Sequence, residues 1–476
     1  MNSSRRHFLS QNALGISSLA LASLLKDDGL LAATNKPNLA PQTFDLSAKD
    51  PQKEPQAKAM ISMFMGGGPS HLELLDPKPM LDKYAGKPFP NAKKLKFDNV
   101  GGASPIIMPS AYAFEKCGQS GTEISELLPE LKTISDDITV IRSMTLPNIR
   151  NHVAGMRALT TGRGQAGYPS LGSWLTYGLG SETDNLPSFV ALIVGGNPPG
   201  SPFWDSVQLP SIYQGTVVRE QTPRIMNLTP PAHLKGSAQQ EQLATLEKLN
   251  QLDLKNYPGE NDLAARIASY ELAAKMQTSA TDALDLTKET AATRKLYGLD
   301  DKNTKQLAEA CIIARRLVER GVRFVQIWNY VWDMHSDITA AIKTRTARVD
   351  QPCAALVKDL KSRGMLDSTI VQWGGEMGRL PVIQYRGPGK PPGRDHNTEG
   401  FSIWMAGGGI KGGHVHGATD EFGHRAVDRP VTQHDFHATI LKQFGLDQNK
   451  LNYKQNALPI SLVEMEKGKA VEDILS

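Results

Sequence analysis

The sequence predicts an α/β protein built on a mostly parallel sheet with helices on both faces. Short, continuous apolar runs end in glycine at intervals along the chain, which is the pattern of buried strands. In the C-terminal part these runs alternate with segments of helical period, as in a doubly covered parallel sheet. The chain is also long enough: 476 residues, 40% of them apolar and 21% charged, suit one large α/β domain or two ordinary ones with a sizeable core.

The elements follow in order. Ala57 to Met65 is an apolar run entering Gly66-Gly67-Gly68-Pro69, a buried strand opening into a loop where α/β sheets place ligands. Residues 138–143 and 189–194 are two more strands, the second leading into Gly195-Gly196. Residues 237–290 read as a helical insertion of two amphipathic helices broken near Tyr257-Pro258-Gly259. Thr304 to Arg320 is a helix with Leu307, Cys311, Ala314 and Val318 on one face, stopped by Gly321, and Val322 to Trp328 is a strand. Val349 to Arg363 is a helix and Thr369 to Trp373 a strand. Phe401 to Ala406 is a strand ending in Gly407-Gly408-Gly409, and His437 to Phe444 is a short helix. The chain therefore divides into an address at 1–33, an extended, mobile lead-in at 34–56, one α/β domain at 57–448 and a tail at 449–476.

Composition excludes several classes. A formal net charge of +4 gives no basic stripe for nucleic acid. Three cysteines, Cys117, Cys311 and Cys353, rule out a disulfide framework and a cysteine-only zinc site. The glycine runs match no phosphate-loop pattern. At the amino terminus, Arg5-Arg6 precedes Phe8-Leu9, an apolar stretch to Leu25 and the small pair Ala32-Ala33. This is the layout of a twin-arginine signal peptide. It predicts a periplasmic or secreted protein with no stable membrane span after cleavage, and a route often used by proteins that acquire a metal first.

The polar residues cluster where the predicted strands end. His71, Glu73 and Asp76 follow the first strand. Asn151 and His152 lie in a loop after 138–143. Asp333, His335 and Asp337 follow 322–328, and Glu376 and Arg379 follow 369–373. Asp395 and His396 precede 401–406. Carboxyl ends of parallel strands share one edge, so these groups can converge. Imidazoles and carboxylates without thiolates suit a divalent Zn, Ca, Mg or Mn ion acting as a Lewis acid or activating water.

Three segments carry a family resemblance. Leu366 to Gly378, LDSTIVQWGGEMG, resembles the sulfatase segment LDNTLVIFTSDHG. His152 to Arg163, HVAGMRALTTGR, resembles the sulfatase signature C-x-P-S-R-A-x-L-x-T-G-R, and Asp435 to Leu441 resembles a sulfatase helix. With GGGPSHLELLDPKP and GRDHNTEGFSIWMAGGGIKGG, the whole resembles the bacterial family called domain of unknown function 1501, counted as sulfatase-like within the alkaline-phosphatase superfamily. The resemblance implies an α/β/α sandwich with a metal-centred cleft. It also has gaps. His152 stands where a sulfatase has its modified Cys, so no formylglycine forms, and the Asp-His metal pair becomes Glu376-Met377.

The expected function is that of an exported metal-dependent hydrolase of sulfate or phosphate esters without the usual Cys or Ser nucleophile. Asp333, His335 and His396 would form one centre, with Glu376 and Glu73 or Asp76 completing it or holding a second ion. His152 would act as general acid or base, and Arg157, Arg163 or Arg379 would stabilise charge on the ester. The substrate would be a sulfated or phosphorylated small molecule or glycan. The alternative is a non-catalytic relative that binds an extracytoplasmic glycan or protein. Plainer roles stand beside these: Glu376 paired with Arg379, Arg163 anchoring a helix end, Asp435 as a helix N-cap, and His414, His416 and His424 at the surface.

Overall fold

The computed structural model describes residues 46–90, 92–95, 97, 102–196, 203–226, 228, 236–257, 261–455, 458–464 and 467–476. The signal-peptide reading and residues 34–45 of the lead-in lie outside these residues. The central sheet contains β1 (Ala59–Phe64), β2 (Ile138–Thr145), β3 (Phe189–Val194), β4 (Thr216–Val218), β5 (Phe324–Asn329), β6 (Thr369–Gly374), β7 (Phe401–Ala406), β8 (His414–His416) and β9 (Val431–Thr432). Their order is β8-β2-β7-β6-β1-β5-β3-β4, with β9 also on β2. All pairings are parallel except those of β7, which runs antiparallel to both β6 and β2.

β1 shows why this sheet is sandwiched. All six of its residues are buried, so neither face meets solvent. Ile61 and Met63 pack into one apolar layer, Met60 and Phe64 into the other, as the two-residue period of a strand requires. The first layer is closed by α6 (Lys305–Glu319) and α7 (Ile338–Ser362), the second by α2 (His152–Thr161), α3 (Leu171–Leu179) and α8 (Gln433–Gln443). The short α1 (His71–Leu74) follows β1, and the helical insertion consists of α4 (Ser237–Asn256) and α5 (Asn261–Leu284). The architecture is an α/β/α sandwich.

Several elements differ from the expectation. Residues 46–57 are extended, but they are held in place. The Ser181 N–H donates to the Leu46 carbonyl (2.7 Å), and the Gln56 and Ala57 N–H groups donate to the Gln443 carbonyl (2.8 and 2.9 Å). The tail is docked as well: Lys411 N–H donates to Ile474 O and Ser476 N–H to Gly409 O. α7 begins at Ile338 rather than Val349. Its early turns present one apolar residue each, Ile338 and Ile342, a thinner stripe than that of α6. α8 begins at Gln433, with Thr432 as its N-cap. Asp435 closes the capping box from the third position instead of capping the helix itself.

Asp350 on α7 ties this layer to the short helix Pro129–Lys132, accepting from the Glu130 and Leu131 N–H groups (2.7 and 2.9 Å). Burial outweighs these bonds and pushes its carboxyl up to about 6. A raised folded-state value means that the folded chain holds the proton more tightly than the unfolded one. The contribution to stability is then full below about 4, the ordinary value, and is lost as pH rises through about 6. Urea melts across this window should show wild type losing stability relative to Asp350→Asn as pH rises. A difference between the two that stays constant with pH would contradict the assignment.

Candidate metal centre

The carboxyl edge of the sheet carries the site, and the reversed strand completes it. Because β7 is antiparallel, its amino end lies beside the carboxyl end of β6, and the segment entering it arrives at the same edge. His396 and Asn397 there pair with Gly378 and Arg379 in a two-stranded ribbon, with Arg379 opposite His396. Gly407 to Gly409 leave β7 at the other edge, where a Cβ on Gly407 would meet the Leu366 and Thr369 carbonyls.

Asp333 is the hub. Its Oδ1 lies 2.8 Å from His335 Nε2, 3.1 Å from His152 Nε2, 3.3 Å from His396 Nε2 and 2.8 Å from Arg379 Nη2. One ligand atom each from His152, Asp333, His335 and His396 lies within 4.8 Å of the others, a grouping that could hold a metal ion. The Asp333 side chain is 35% exposed, so the group opens to solvent through it. His335 and His396 are buried. Asn151 caps α2 through its side chain, accepting from Ala154 N–H, and this makes His152 the first helical residue rather than part of a loop.

The second ring nitrogens show how the imidazoles are oriented. His152 Nδ1 donates to Glu376 Oε1 (2.6 Å) and His335 Nδ1 to Gln384 Oε1 (2.6 Å). A carboxylate and an amide oxygen only accept, so both Nδ1 atoms carry the proton. The donor set therefore fits a divalent ion: imidazole nitrogens aimed at a carboxylate, with outer groups fixing the rings. Without a cation or protons, these lone pairs would face a carboxylate oxygen and repel it.

The electrostatics follow from the same contacts. Burial pulls the His152 imidazole down, but Asp333 and Glu376 outweigh it and raise it to about 9. Burial dominates at His396 and lowers it to about 4, despite its hydrogen bond to Asp333. Burial opposes ionisation of Asp333, yet the three histidines and Arg379 hold its carboxyl well below the usual range. Burial, with Glu376 and Asp333 nearby, pushes the Tyr330 phenol up to about 12, so it stays neutral.

The remaining candidates separate into neighbours of this group and residues elsewhere. Glu376 sits behind His152, gripped by the Gly67 N–H at 3.0 and 3.2 Å. The glycine run thus cradles a protein carboxylate. Arg379 is fully buried and spends its donors on Asp333 and on the carbonyls of Gly67, Gly68, Trp332 and Arg394. Its ion pair is with Asp333, not Glu376. Glu73 is buried against Arg394, accepting from its Nε and Nη2 (2.9 and 2.8 Å), so it braces the segment that delivers His396. Asp76 pairs with Lys78 (3.0 Å) and accepts from Thr419. Arg163 pairs with Glu464 and lies over the Tyr168 ring. Glu73, Asp76 and Arg163 are not brought into the group. Gln384 was missed; its only sequence signal is a polar residue in an otherwise apolar segment. His414 and His416 are not simple surface residues, since both contact Asp473 of the tail, which also pairs with Arg429.

The family described as protein of unknown function (DUF1501) matches residues 57–475. The chain belongs to this family. No curated protein matches this DUF1501 chain. Among solved structures it is similar to the PsFucS1 sulfatase from Pseudoalteromonas sp., at 13% identity and TM-score 0.34 over 83% of this chain and 69% of that one. It is similar to the phosphonate monoester hydrolase SpPMH from Silicibacter pomeroyi, at 12% and 0.33 over 73% and 71%. It is also similar to the TAB5 alkaline phosphatase, at 9% and 0.34 over 83% and 100%. At such scores the likeness carries nothing about activity, and the DUF1501 fold rests on its own strand order.

Two substitutions separate orientation from bracing. Gln384→Leu removes the acceptor of His335 Nδ1–H and should cost roughly 10- to 100-fold in metal affinity, as losses behind a ligand do. Glu73→Ala leaves Arg394 buried without its partner and should cost about 3–5 kcal/mol of stability with metal content unchanged. Chelator competition and urea melts on both variants check this, and the reverse pattern would refute it.

Proposed function

We propose that the chain is an exported metal-dependent hydrolase of sulfate or phosphate esters that works without a Cys or Ser nucleophile. The observation that carries this reading is the convergence of three imidazole Nε2 atoms and Arg379 on one oxygen of Asp333. In this reading Asp333, His335 and His396 hold the divalent ion. When bound, such an ion polarises an ester oxygen and lowers the pKa of water.

The chain's own residues supply the rest. His152 occupies the position aligned with the sulfatase nucleophile. Its Nδ1–H is fixed on Glu376, and its Nε2, 3.1 Å from Asp333, is placed to hold a proton at the group that would take the ion. That proton goes to the leaving oxygen of the ester. Arg379 keeps Asp333 ionised and in register rather than touching the ester, because its donors are already engaged. The export half of the proposal rests on the Arg5-Arg6 segment. No described helix is long and apolar enough to cross a membrane.

A second reading has one observation in its favour. Arg163 and Arg379, two of the three arginines expected to meet the ester, are engaged within the protein, which suits a binding protein that retains a metal but does not turn over.

The test is metal content by plasma mass spectrometry, with hydrolysis of aryl sulfates and phosphates, on chelator-free protein. His335→Ala and His396→Ala should each lose the metal and all hydrolysis. His152→Ala should keep the metal and lose about 10²- to 10⁴-fold in rate, the usual contribution of a general acid. If His152→Ala also loses the metal, His152 is a fourth ligand. Metal-loaded wild type that cleaves no ester supports the binding reading.

A further inference from the structure

A second feature of the carboxyl edge lies outside the Asp333 group. A cavity of about 280 Å³ opens between the ends of β3 and β5 and the adjoining parts of α6 and α7. Arg345 and Arg348, one turn apart on α7, line it together with Asn303, Gln306 and Asn329. No acidic residue lines it. Among the described residues neither arginine has an ion-pair partner. Burial, with the charge of Arg348 nearby, lowers the Arg345 guanidinium from its usual range. An anion in the cavity would relieve the repulsion between the two guanidinium groups.

The amino end of α6 provides an independent observation. Asn303, Gln306 and Leu307 bring the start of this 15-residue helix to the cavity wall. Its N-cap, Thr304, makes no side-chain capping bond and instead donates its hydroxyl to the Gly298 carbonyl. The Lys305 N–H of this turn donates to the Asp301 carbonyl (2.8 Å); the N–H groups that follow it in a first turn lack intrahelical partners and sit at the positive end of the helix dipole, the arrangement that receives oxyanions elsewhere. A wider opening next to the cavity shares Asn303, Gln306 and Arg348 and adds Lys302 and Lys305. Of its two carboxylates, Glu309 pairs with Arg224, while Glu220 accepts from Gly195 N–H and Gln306 Nε2, two groups of the cavity wall.

The cavity is also close to the Asp333 group along the chain. Asn329 and Val331 line it, and Asp333 is two residues further on, so the Cα atoms of Val331 and Asp333 are at most ~7 Å apart.

We propose that this cavity is a second oxyanion site, taking a sulfate or phosphate of a polyanionic substrate whose scissile ester lies at the Asp333 group. The word substrate rests on the hydrolase reading; the oxyanion site itself does not. Arg345 and Arg348 hold the anion by charge-assisted bonds, and the α6 terminus adds backbone donors. The site selects for molecules with two anionic groups, and a substrate bearing a single sulfate gains nothing from it.

The experiment is calorimetric titration of inorganic sulfate and inorganic phosphate into three full-length proteins: wild type, His335→Ala and Arg345→Gln/Arg348→Gln. Both arginines are at least partly exposed, and thermal melts will show whether the double variant is folded. Sulfate or phosphate should bind wild type and His335→Ala alike, and bind the double variant at least about tenfold more weakly, the loss expected for a hydrogen bond to a charged group. Unchanged binding in the double variant, binding abolished in His335→Ala, or no binding to wild type would each overturn the site. A second arm compares hydrolysis of 4-nitrophenyl sulfate with that of a disulfated disaccharide. The double variant should raise KM at least about tenfold for the disaccharide alone. An equal change for both substrates would overturn the polyanion assignment. If neither substrate is cleaved by any of the proteins, the hydrolase reading fails while the titration still decides the oxyanion site.

Discussion

One carboxylate oxygen organises this protein. Asp333 Oδ1 is shared by His152, His335, His396 and Arg379, and those residues come from four separate stretches of chain. Each stretch is shaped by the need to reach it. Gly67 has φ +108°, and a Cβ there would meet the Asp333 backbone nitrogen at 2.5 Å, so only glycine allows the loop after β1 to lie against the Asp333 loop. The same residue holds Glu376 through its N–H and receives the Arg379 guanidinium on its carbonyl. Removing the charge of Asp333 would leave Arg379 buried without a counter-ion, a loss large compared with any exposed pair.

The antiparallel strand β7 makes this convergence possible. In an all-parallel sheet the residues before a strand emerge at the amino edge, away from the residues that follow the other strands. Reversal of one strand places the segment before β7 beside the segment after β6, and the ribbon Arg379–His396 joins them. Buried braces then fix the ribbon. Arg394 is fully buried and bonded to Glu73 of α1 and to the carbonyls of Leu380, Met108 and Pro109. The residue types around the candidate site thus answer two demands, a donor set that could hold an ion and the ion pairs that fix its members in place.

This double use limits what the sequence could reveal. Six of the nine strands of the central sheet were legible nearly to the residue, because fully buried strands are continuous apolar runs; the short, partly exposed 216–218, 414–416 and 431–432 were not. Residues 189–194 and 401–406 were read with the boundaries observed. α2 was not legible, since its glycine and polar residues resemble a loop and its start depends on the Asn151 side chain. Asp333, His335 and His396 were legible as imidazoles and a carboxylate at strand ends. Glu73 and Asp76 had the same signal, yet each is neutralised by a basic residue, Arg394 or Lys78. A carboxylate met by three imidazoles and one met only by a basic side chain are the same letter at the same kind of position. The partner of Glu73 lies 321 residues away, and only the fold identifies it.

The imidazole of His152 shows how two carboxylates decide the charge of a buried ring. It is the first residue of α2, where the positive end of a helix disfavours an imidazolium. Burial disfavours the charged form as well. Both effects are outweighed, because Glu376 lies at one ring nitrogen and Asp333 at the other. An imidazole held between two carboxylates is a poor nucleophile, since its lone pairs are committed to protons, and a good proton donor for the same reason. In the proposed hydrolysis the histidine would therefore assist the departure of one group and leave the attack to water, supplying the proton that lets a bond break rather than forming a bond to the substrate.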